Sequence, residues 1–536
     1  FSPGTQVDGS QFMGCPVDAS VAEIQGTGAN SPLEGRQVNT TGIVTALTDD
    51  GFFMQIPDDG NPDTSNGVFV FTGGAPTVSV GDEVDVSGRV EEFFGLTEIT
   101  GSPTVNVTGT GSLPAAIVFD ANRPSPNPAA PSCALEYECY EGMLIHIPAG
   151  IVAASNQEFG SDPFAEVHVT AGPTRPFREP GIETPGLPAN PLIPVWDGNP
   201  EVFELDPDKL GLPNLNIPAG STFSATGVLG FEFNHYELWP TALDVTPAEL
   251  PVAVRAKSAD EATVGSFNLF RLFDSVADGT GDAVLPPEEY ARRTAKLAAY
   301  IVDLMGAPDI LAVQEVEKLG VLEELAAAIN TLDTSINYTA YLIEGNDVGS
   351  IDVGFLVRNN VQVDAVTQLG AAELLSVDGS FPISVMVLHM RSLGGIEESR
   401  TQQKRYEQAQ SVAEKIQDIQ TANPDVNLVV LGDFNAFEFS DGYVDLAGIV
   451  KGDFNPDESL VCSINGNTCE DLVSPDLNDE ILNIHPLERY SFIFRDSFNA
   501  DGSRGDAQIL DHAMTSQALG PLVSGLEFAR GNADAA

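Results

Sequence analysis

Positive charge is what this sequence has least of. Lysines and arginines number 24 against 78 aspartates and glutamates, only seven of the 24 are lysines, and the formal net charge is -54. Such acidity fits a halophilic setting, where a Debye length of about 8 Å or less weakens both self-repulsion and repulsion of a phosphate backbone. The alternative is that the acidity serves solubility alone.

The few cations are also unevenly placed. Residues 1–250 hold six lysines and arginines, whereas residues 251–536 hold 18. Because phosphate contacts normally use such cations, the second part of the chain is the better candidate for them. The densest basic stretch comprises Arg391, Arg400, Lys404 and Arg405. These side chains either track a phosphate backbone or form the solvated face of a helix.

Long apolar runs and cysteines are scarce too. No stretch of about 18 apolar residues exists, which excludes a membrane-spanning helix. The first residue is Phe1 rather than Met, so we expect a signal peptide that was removed or never included. The five cysteines are Cys15 and the closely spaced Cys133 with Cys139 and Cys462 with Cys469. We predict two small-loop disulfides and export; reduced, buried cysteines are the alternative.

The spacing of apolar residues divides the chain. From Val21 to about Val107, short apolar strands alternate with Gly, Asp and Pro turns, and a second β-rich stretch follows from Tyr140. Beyond the junction, apolar strands alternate with helical periodicity at 285–305, 321–332 and 398–420, which indicates a layered α/β domain. The predicted domains are an N-terminal segment at 1–19, a β-barrel at 20–115, a second β-rich module at 116–250 and an α/β domain at 251–536.

Polar residues follow several apolar strands. In VVLGDFNA a buried strand ends in Asp433 and Asn435, which share one face. Glu315 follows the apolar run ILAVQ, and Asn268 stands in SFNLF. A carboxylate and an amide at a strand end can hold a divalent ion and a phosphate oxygen. A simple Asp-x-Asn turn is the alternative for Asp433.

The order of these motifs carries a resemblance. SFNLF, DILAVQEVE, IDVGFLVR, VLHMRS, LGDFNA and YSFIF followed by LDHAM, over about residues 260–536, resemble the endonuclease/exonuclease/phosphatase superfamily, and secreted bacterial nucleases of the deoxyribonuclease I type in particular. The earlier β-rich text resembles the OB-fold modules that precede such nucleases. The resemblance implies OB-like barrels followed by a four-layer α/β sandwich.

The same resemblance implies roles for individual residues. Glu315, helped by Asn268, would hold Mg²⁺, Mn²⁺ or Ca²⁺. Asp433 would orient or deprotonate the attacking water, and Asn435 would bind the phosphate. His389 would protonate the leaving oxygen or stabilise its charge, with Asp352 holding its ring. Without such a partner, a lone histidine in this strand would be a core residue.

Asp511 in LDHAM matches the aspartate that orients a second catalytic histidine in the family. That histidine belongs to a Ser-Asp-His motif, which this sequence does not contain up to Ala536. We therefore expect a domain without its last strand, because of truncation, processing or loss of catalysis. His512 should point to the opposite face of the strand from Asp511 and cannot replace the missing histidine.

The leading interpretation is an extracellular bacterial nuclease that hydrolyses DNA, and RNA as a second substrate, with a divalent metal. Two alternatives remain open. One is a phosphomonoesterase of the same superfamily, because the scissile chemistry is shared. The other is a catalytically impaired structural, adhesive or self-assembling protein on a nuclease-like scaffold.

Overall fold

The computed structural model describes residues 16–182, 193–278, 283–345, 347, 349–370, 372–377, 381–464, 469–494, 505–531 and 534. Within these residues, no helix is long and apolar enough to cross a membrane. Cys133 with Cys139 and Cys462 with Cys469 lie at disulfide distance, as predicted. Cys15 lies outside the described residues.

The first β-rich region is a sheet that closes on itself. Its elements are β1 (Val17–Asp18), α1 (Val21–Gln25), β2 (Gln37–Leu47), β3 (Gly51–Gln55), β4 (Gly67–Phe71), β5 (Asp82–Phe93) and β6 (Leu96–Thr110). The pairing order is β2-β3-β4-β6-β5, and β5 pairs again with β2. Alternate residues of these strands, such as Val84 and Val86, point inward and fill the closed sheet.

The second β-rich region repeats this arrangement. Its strands are β7 (Ile117–Val118), β8 (Leu144–Ala154), β9 (Val167–Thr170), β10 (Phe203–Leu205), β11 (Thr222–Glu232) and β12 (His235–Thr246). The order β8-β9-β10-β12-β11 closes through a β11–β8 pairing. The two closed sheets pack through an apolar cluster in which the rings of Phe53 and Trp239 lie 5.6 Å apart.

The α/β region contains two larger sheets. The first sheet has the order β13-β14-β16-β15 and the second β17-β18-β19-β20-β24-β21. The strands are β13 (Val264–Leu272), β14 (Ile310–Val316), β15 (Tyr338–Tyr341), β16 (Asp352–Arg358), β17 (Val363–Leu369), β18 (Ala372–Val377), β19 (Ile383–His389), β20 (Leu428–Asp433), β21 (Asn478–Asp479), β22 (Phe492–Ile493), β23 (Ala507–Gln508) and β24 (Asp511–Thr515). The short β22 and β23 pair with each other.

The helices of this region confirm the helical periodicity seen in the sequence. They are α2 (Pro287–Ala299, continued by a π-turn at Tyr300–Leu304), α3 (Leu319–Leu332), α4 (Ser399–Ala422), α5 (Leu446–Lys451) and α6 (Leu460–Ile464). One apolar cluster joins the facing sides of the two sheets, including Phe355 and Val385. The outer side of the first sheet packs against α2 and α3, and that of the second packs against α4 and α5.

A polar cluster contributes to the contact between the second closed sheet and the α/β region. Arg175 donates to the hydroxyl of Tyr490 and to the carboxylate of Asp534, each at 3.0 Å, and Tyr490 donates to the same carboxylate at 2.8 Å. The guanidinium of Arg530 lies 3.6 Å from the centre of the Tyr490 ring. The tyrosine therefore lies between two arginines that come from different regions of the chain.

Candidate active site

The polar strand ends meet at one edge of the paired sheets. Asn268 and Glu315 come from the neighbouring parallel strands β13 and β14. In the second sheet, His389, Asp433 and Asp511 stand at the same level on β19, β20 and β24, because His389 pairs with Asp433 and Asp433 pairs with Asp511. The two sheets thus bring together residues that lie as far apart along the chain as positions 268 and 511.

The Asn268 amide connects the two sheets. Its Nδ2 donates to Glu315 Oε1 at 3.0 Å and to Asp433 Oδ2 at 2.9 Å. His389 Nε2 lies 3.5 Å from the same Glu315 oxygen. Glu315, His389 and Asp433 each offer one ligand atom, and these atoms all lie within 4.8 Å of one another. Two carboxylates beside an imidazole, with Glu315 and His389 partly open to solvent and Asp433 buried, suit a divalent cation.

Asn268 was expected to help Glu315 hold the cation, but its amide is oriented differently. Its Oδ1 accepts a hydrogen bond from the backbone of Phe270 at 2.8 Å, while its NH₂ group faces the two carboxylates. In this orientation the amide positions the acidic groups and does not present an oxygen to a cation. The Asp433 carboxylate is better placed than the Asn268 amide to share a cation with Glu315.

The backbone around the site is held in uncommon conformations. Glu315 has φ 61° where the pairing of β14 with β16 shifts register between Val313 and Val316. Phe270 and Arg271 have φ 52° and 56° in a similar irregularity of β13. Asn435 has φ 48°. Bulges re-aim side chains, and non-glycine residues at positive φ cost free energy that the surrounding structure must offset.

Asp433 is buried, and both of its carboxylate oxygens accept hydrogen bonds. The backbone of Asn435 donates to Oδ1 at 2.8 Å, and Asn268 donates to Oδ2. Burial raises the pKa of Asp433, and the neighbouring Glu315 adds to this, although His389 and the two donors act in the opposite direction. A carboxylate with a raised pKa is a better proton acceptor, which fits the predicted role in activating water.

One expected interaction, between Asp352 and His389, is absent among the described residues, and the Asn435 amide has a protein partner. Asp352 accepts a hydrogen bond from the backbone of Gly345 at 2.9 Å, and it does not contact the ring of His389, which faces Glu315 instead. Burial raises the pKa of Asp352, with Glu344 and Asp347 adding to the effect. The predicted Asp352–His389 pair is therefore not formed. The Asn435 amide donates to the carbonyl of Met390 at 3.0 Å, which turns its NH₂ group toward the loop after β19.

His512 points away from the site, as predicted. Its Nδ1 lies 2.9 Å from Asp479 and its Nε2 lies 3.0 Å from the carbonyl of Ala436. Burial acts to lower the pKa of His512, but the Asp479 carboxylate more than offsets this and raises it. Because Ala436 belongs to the GDFNA loop, His512 supports this loop from behind.

The basic residues divide into one buried and three accessible side chains. Arg405 is fully buried; it donates to the carbonyl of Arg391 at 2.5 Å and lies 3.4 Å from a carboxylate oxygen of Asp441. The prediction that Arg405 contacts a phosphate backbone is therefore wrong, because α4 turns this side chain into the core. Arg391 is half-buried, and Arg400 and Lys404 are exposed.

The sequence analysis missed Arg293 on α2. Its guanidinium donates to the carbonyls of Leu269 and Phe270 and so supports the strained segment beside Asn268. Burial lowers the pKa of Arg293, while Glu289 and Glu315 oppose this. One arginine on an amphipathic helix gives no signal that separates it from solvated neighbours.

A comparison with protein families finds a match over part of the chain. Residues 263–442 match the Endonuclease/Exonuclease/phosphatase family. This part of the chain is an endonuclease/exonuclease/phosphatase domain. The match includes every candidate site residue from Asn268 to Asn435, and Asp511 lies beyond it. No curated protein matches the chain.

The solved structures found to be similar share little sequence with this chain. TDP2 from Caenorhabditis elegans is 18% identical with a TM-score of 0.30, and the alignment covers 48% of this chain and 63% of that one. The human nocturnin catalytic domain is 14% identical, with a TM-score of 0.28 and coverages of 48% and 83%. A mannosyl-6-phosphatase from Bacteroides thetaiotaomicron is 15% identical, with a TM-score of 0.30 and coverages of 48% and 86%.

Asp511→Asn should change how stability depends on pH. Burial and the neighbouring Asp433 raise the pKa of Asp511 to about 7, from an ordinary 3.8. Between about pH 4 and pH 7 the folded chain keeps a proton that the unfolded chain has lost, so the contribution of Asp511 to stability falls as pH rises. Asparagine cannot ionise, and we expect the variant to gain roughly 1–2 kcal/mol over the parent at high pH, allowing for partial exposure.

The measurement is thermal unfolding of both proteins with a chelator, from about pH 4.5 to pH 8. Asp364→Asn, which removes an exposed carboxylate from β17, is the control. A difference in Tm between Asp511→Asn and the parent that stays constant over this pH range would contradict the assignment.

Proposed function

We propose that this chain is an extracellular, metal-dependent phosphodiesterase that hydrolyses DNA, with RNA as a second substrate. The observation that carries the proposal is the Asn268 bridge, which holds Glu315 and Asp433 from two different sheets beside His389. Such a group of oxygen and nitrogen ligands at a strand edge can bind a hard divalent cation together with a phosphate.

Glu315 and Asp433 would hold the cation, helped by the positioning amide of Asn268, and His389 would remain unligated beside them. Bound there, Mg²⁺ or Mn²⁺ would offset charge on the phosphate as the reaction proceeds. Asp433 would orient the attacking water and accept its proton as the water oxygen bonds to phosphorus. The ester bond to the leaving oxygen then breaks, and His389 in its protonated form would donate a proton to that oxygen.

We assign substrate binding to basic side chains that follow β19. Arg391 lies two residues after His389, and Arg400 and Lys404 are exposed on the first turns of α4. We propose that they follow the substrate backbone at sites next to the cleaved bond. Since the chain carries a net charge of -54, this contact would be weak at low salt and would improve as salt screens repulsion.

We further propose that the closed five-stranded sheets are OB-fold modules and that the α/β region is a four-layer sandwich. In each closed sheet the strands pair in the order first, second, third, fifth and fourth, with the fourth returning to the first. In the α/β region, apolar clusters lie between the two sheets and between each sheet and its helices. The two cysteine pairs at disulfide distance support export.

An unusual phenylalanine occurs at the same place in both closed sheets. The β5–β6 hairpin turns at Phe94, which is 79% exposed with φ 51°. The β11–β12 hairpin turns at Phe233, which is 63% exposed and also has φ 51°. A bulky residue at positive φ costs free energy and an exposed ring recovers little of it. We propose that both rings stack on bases of single-stranded nucleic acid.

Asp433→Asn should abolish cleavage of supercoiled plasmid DNA in the presence of Mg²⁺ or Mn²⁺. The expected fall in rate is about 10²- to 10⁴-fold, because the variant loses the proton acceptor for the attacking water. Asp425→Asn, an exposed residue just before β20, is the matched control and should keep full activity. The assay is run across salt concentrations, with RNA and p-nitrophenyl phosphate as further substrates.

The outcomes separate the three candidate functions. Nicking that Asp433→Asn abolishes supports the nuclease. Hydrolysis of p-nitrophenyl phosphate without cleavage of either polymer would replace it with a phosphomonoesterase. Failure to hydrolyse any of the substrates would point to a scaffold protein.

A Phe94→Ala/Phe233→Ala double variant should bind single-stranded oligonucleotide more weakly. Stacking contributes about 1–3 kcal/mol per base, so we expect a loss of roughly fivefold or more. Fluorescence anisotropy with a chelator measures binding without cleavage, and Phe381→Ala, a 45% exposed phenylalanine of the α/β region, is the control. Equal affinities of the double variant and the parent would rule out this role for the hairpins.

A further inference from the structure

A second group of acidic side chains lies in the second closed sheet, apart from the catalytic edge. Asp206 follows β10, Glu232 ends β11 and Glu237 lies on β12. Each offers one carboxylate oxygen, and the three oxygens lie within 4.8 Å of one another. Asp206 and Glu232 are partly exposed, so the group is open to solvent on one side.

A buried carboxylate beside this group accepts no hydrogen bond from the described residues. Glu204 is 7% exposed and stands directly opposite Glu237 in the β10–β12 ladder. Two histidine nitrogens lie within ion-pair range of Glu204, His168 Nε2 at 3.6 Å and His235 Nδ1 at 4.0 Å, but both are beyond hydrogen-bond distance. A buried carboxylate that lacks donors is costly unless a positive charge compensates it.

Glu237 is only partly compensated as well. It is 1% exposed, and its Oε2 accepts a hydrogen bond from the indole of Trp239 at 2.9 Å. Its Oε1 receives no hydrogen bond from the described part of the chain. The ammonium group of Lys209 contacts Glu232 at 2.5 Å, and this side chain reaches in from the rim with 30% of its surface exposed. Apart from the imidazoles of His168 and His235, one ammonium group therefore faces four carboxylates.

We propose that Glu204, Asp206, Glu232 and Glu237 form a calcium site that is separate from the catalytic centre. All four candidate ligands are oxygen atoms, which favours hard cations over transition metals. Ca²⁺ accepts several carboxylates in irregular geometry, whereas Mg²⁺ keeps most of its water and uses one or two. The ion would tie β10 to the β11–β12 hairpin that carries Phe233. This proposal does not depend on the proposed nuclease activity.

The test is calorimetric titration of the full chain with Ca²⁺ in a Glu315→Gln background, which weakens binding at the catalytic edge. We expect one stoichiometric site in this background. Adding Asp206→Asn and Glu232→Gln should weaken it by more than about tenfold. The matched control adds Asp244→Asn and Glu249→Gln, which remove two exposed charges at or just after β12 and should leave the affinity unchanged.

Lys209→Gln gives a test of opposite sign that removes no candidate ligand. Because its ammonium group competes with an ion for the carboxylates, Ca²⁺ should bind more tightly to this variant. Fluorescence of Trp239, whose indole donates a hydrogen bond to Glu237, provides a second measurement of Ca²⁺ binding that does not rely on calorimetry. The proposal is overturned if the Glu315→Gln chain shows no stoichiometric Ca²⁺ binding, if the control weakens it equally, or if Lys209→Gln does not tighten it.

Discussion

The amide of Asn268 is the interaction on which the candidate site depends. Glu315 and Asp433 come from different sheets and would repel each other, yet one NH₂ group donates to both. The apolar cluster between the sheets brings the two strand ends together. The amide reduces the repulsion between the two carboxylates by donating a hydrogen bond to each. His389 then completes the group from the neighbouring strand.

The surrounding backbone is shaped to keep this arrangement. Glu315 reaches the shared edge from a residue with positive φ, and Arg293 binds the carbonyls of the irregular segment after Asn268. Gly432 has φ 139°, and a Cβ there would lie 2.1 Å from the carbonyl oxygen of Leu388. The glycine of the GDFNA motif thus allows β19 and β20 to bring His389 and Asp433 side by side.

Much of this could be predicted from the sequence, because the strands and helices follow from local apolar spacing. Glu315 and Asp433 could be predicted as site residues because burying a polar group at the end of an apolar strand costs free energy unless that group is paired or binds a ligand. Three features could not be predicted: the burial of Arg405, the partner of Asp352 and the direction of the Asn268 amide. Each depends on which side chain, distant in sequence, lies next to it in the fold. The acidic group of the second closed sheet was missed for the same reason, since its members are spread from 204 to 237.

The scarcity of positive charge affects both the catalytic edge and the acidic group of the second closed sheet. With 24 cationic residues for 78 acidic ones, buried carboxylates often lack an arginine or lysine partner, both at the catalytic edge and in the second closed sheet. In each place the structure gathers oxygen atoms that a divalent cation would neutralise. Acidic groups of this kind can bind a divalent cation where basic side chains are scarce.

The most direct test of the catalytic site is the position of Mn²⁺ by anomalous X-ray diffraction from crystals of the full chain. The ion is expected in coordination distance of Glu315 and Asp433, with this peak absent from crystals of Glu315→Gln. The account would be contradicted if no Mn²⁺ peak lay beside Glu315 and Asp433, or if the peak stayed in the same place in Glu315→Gln.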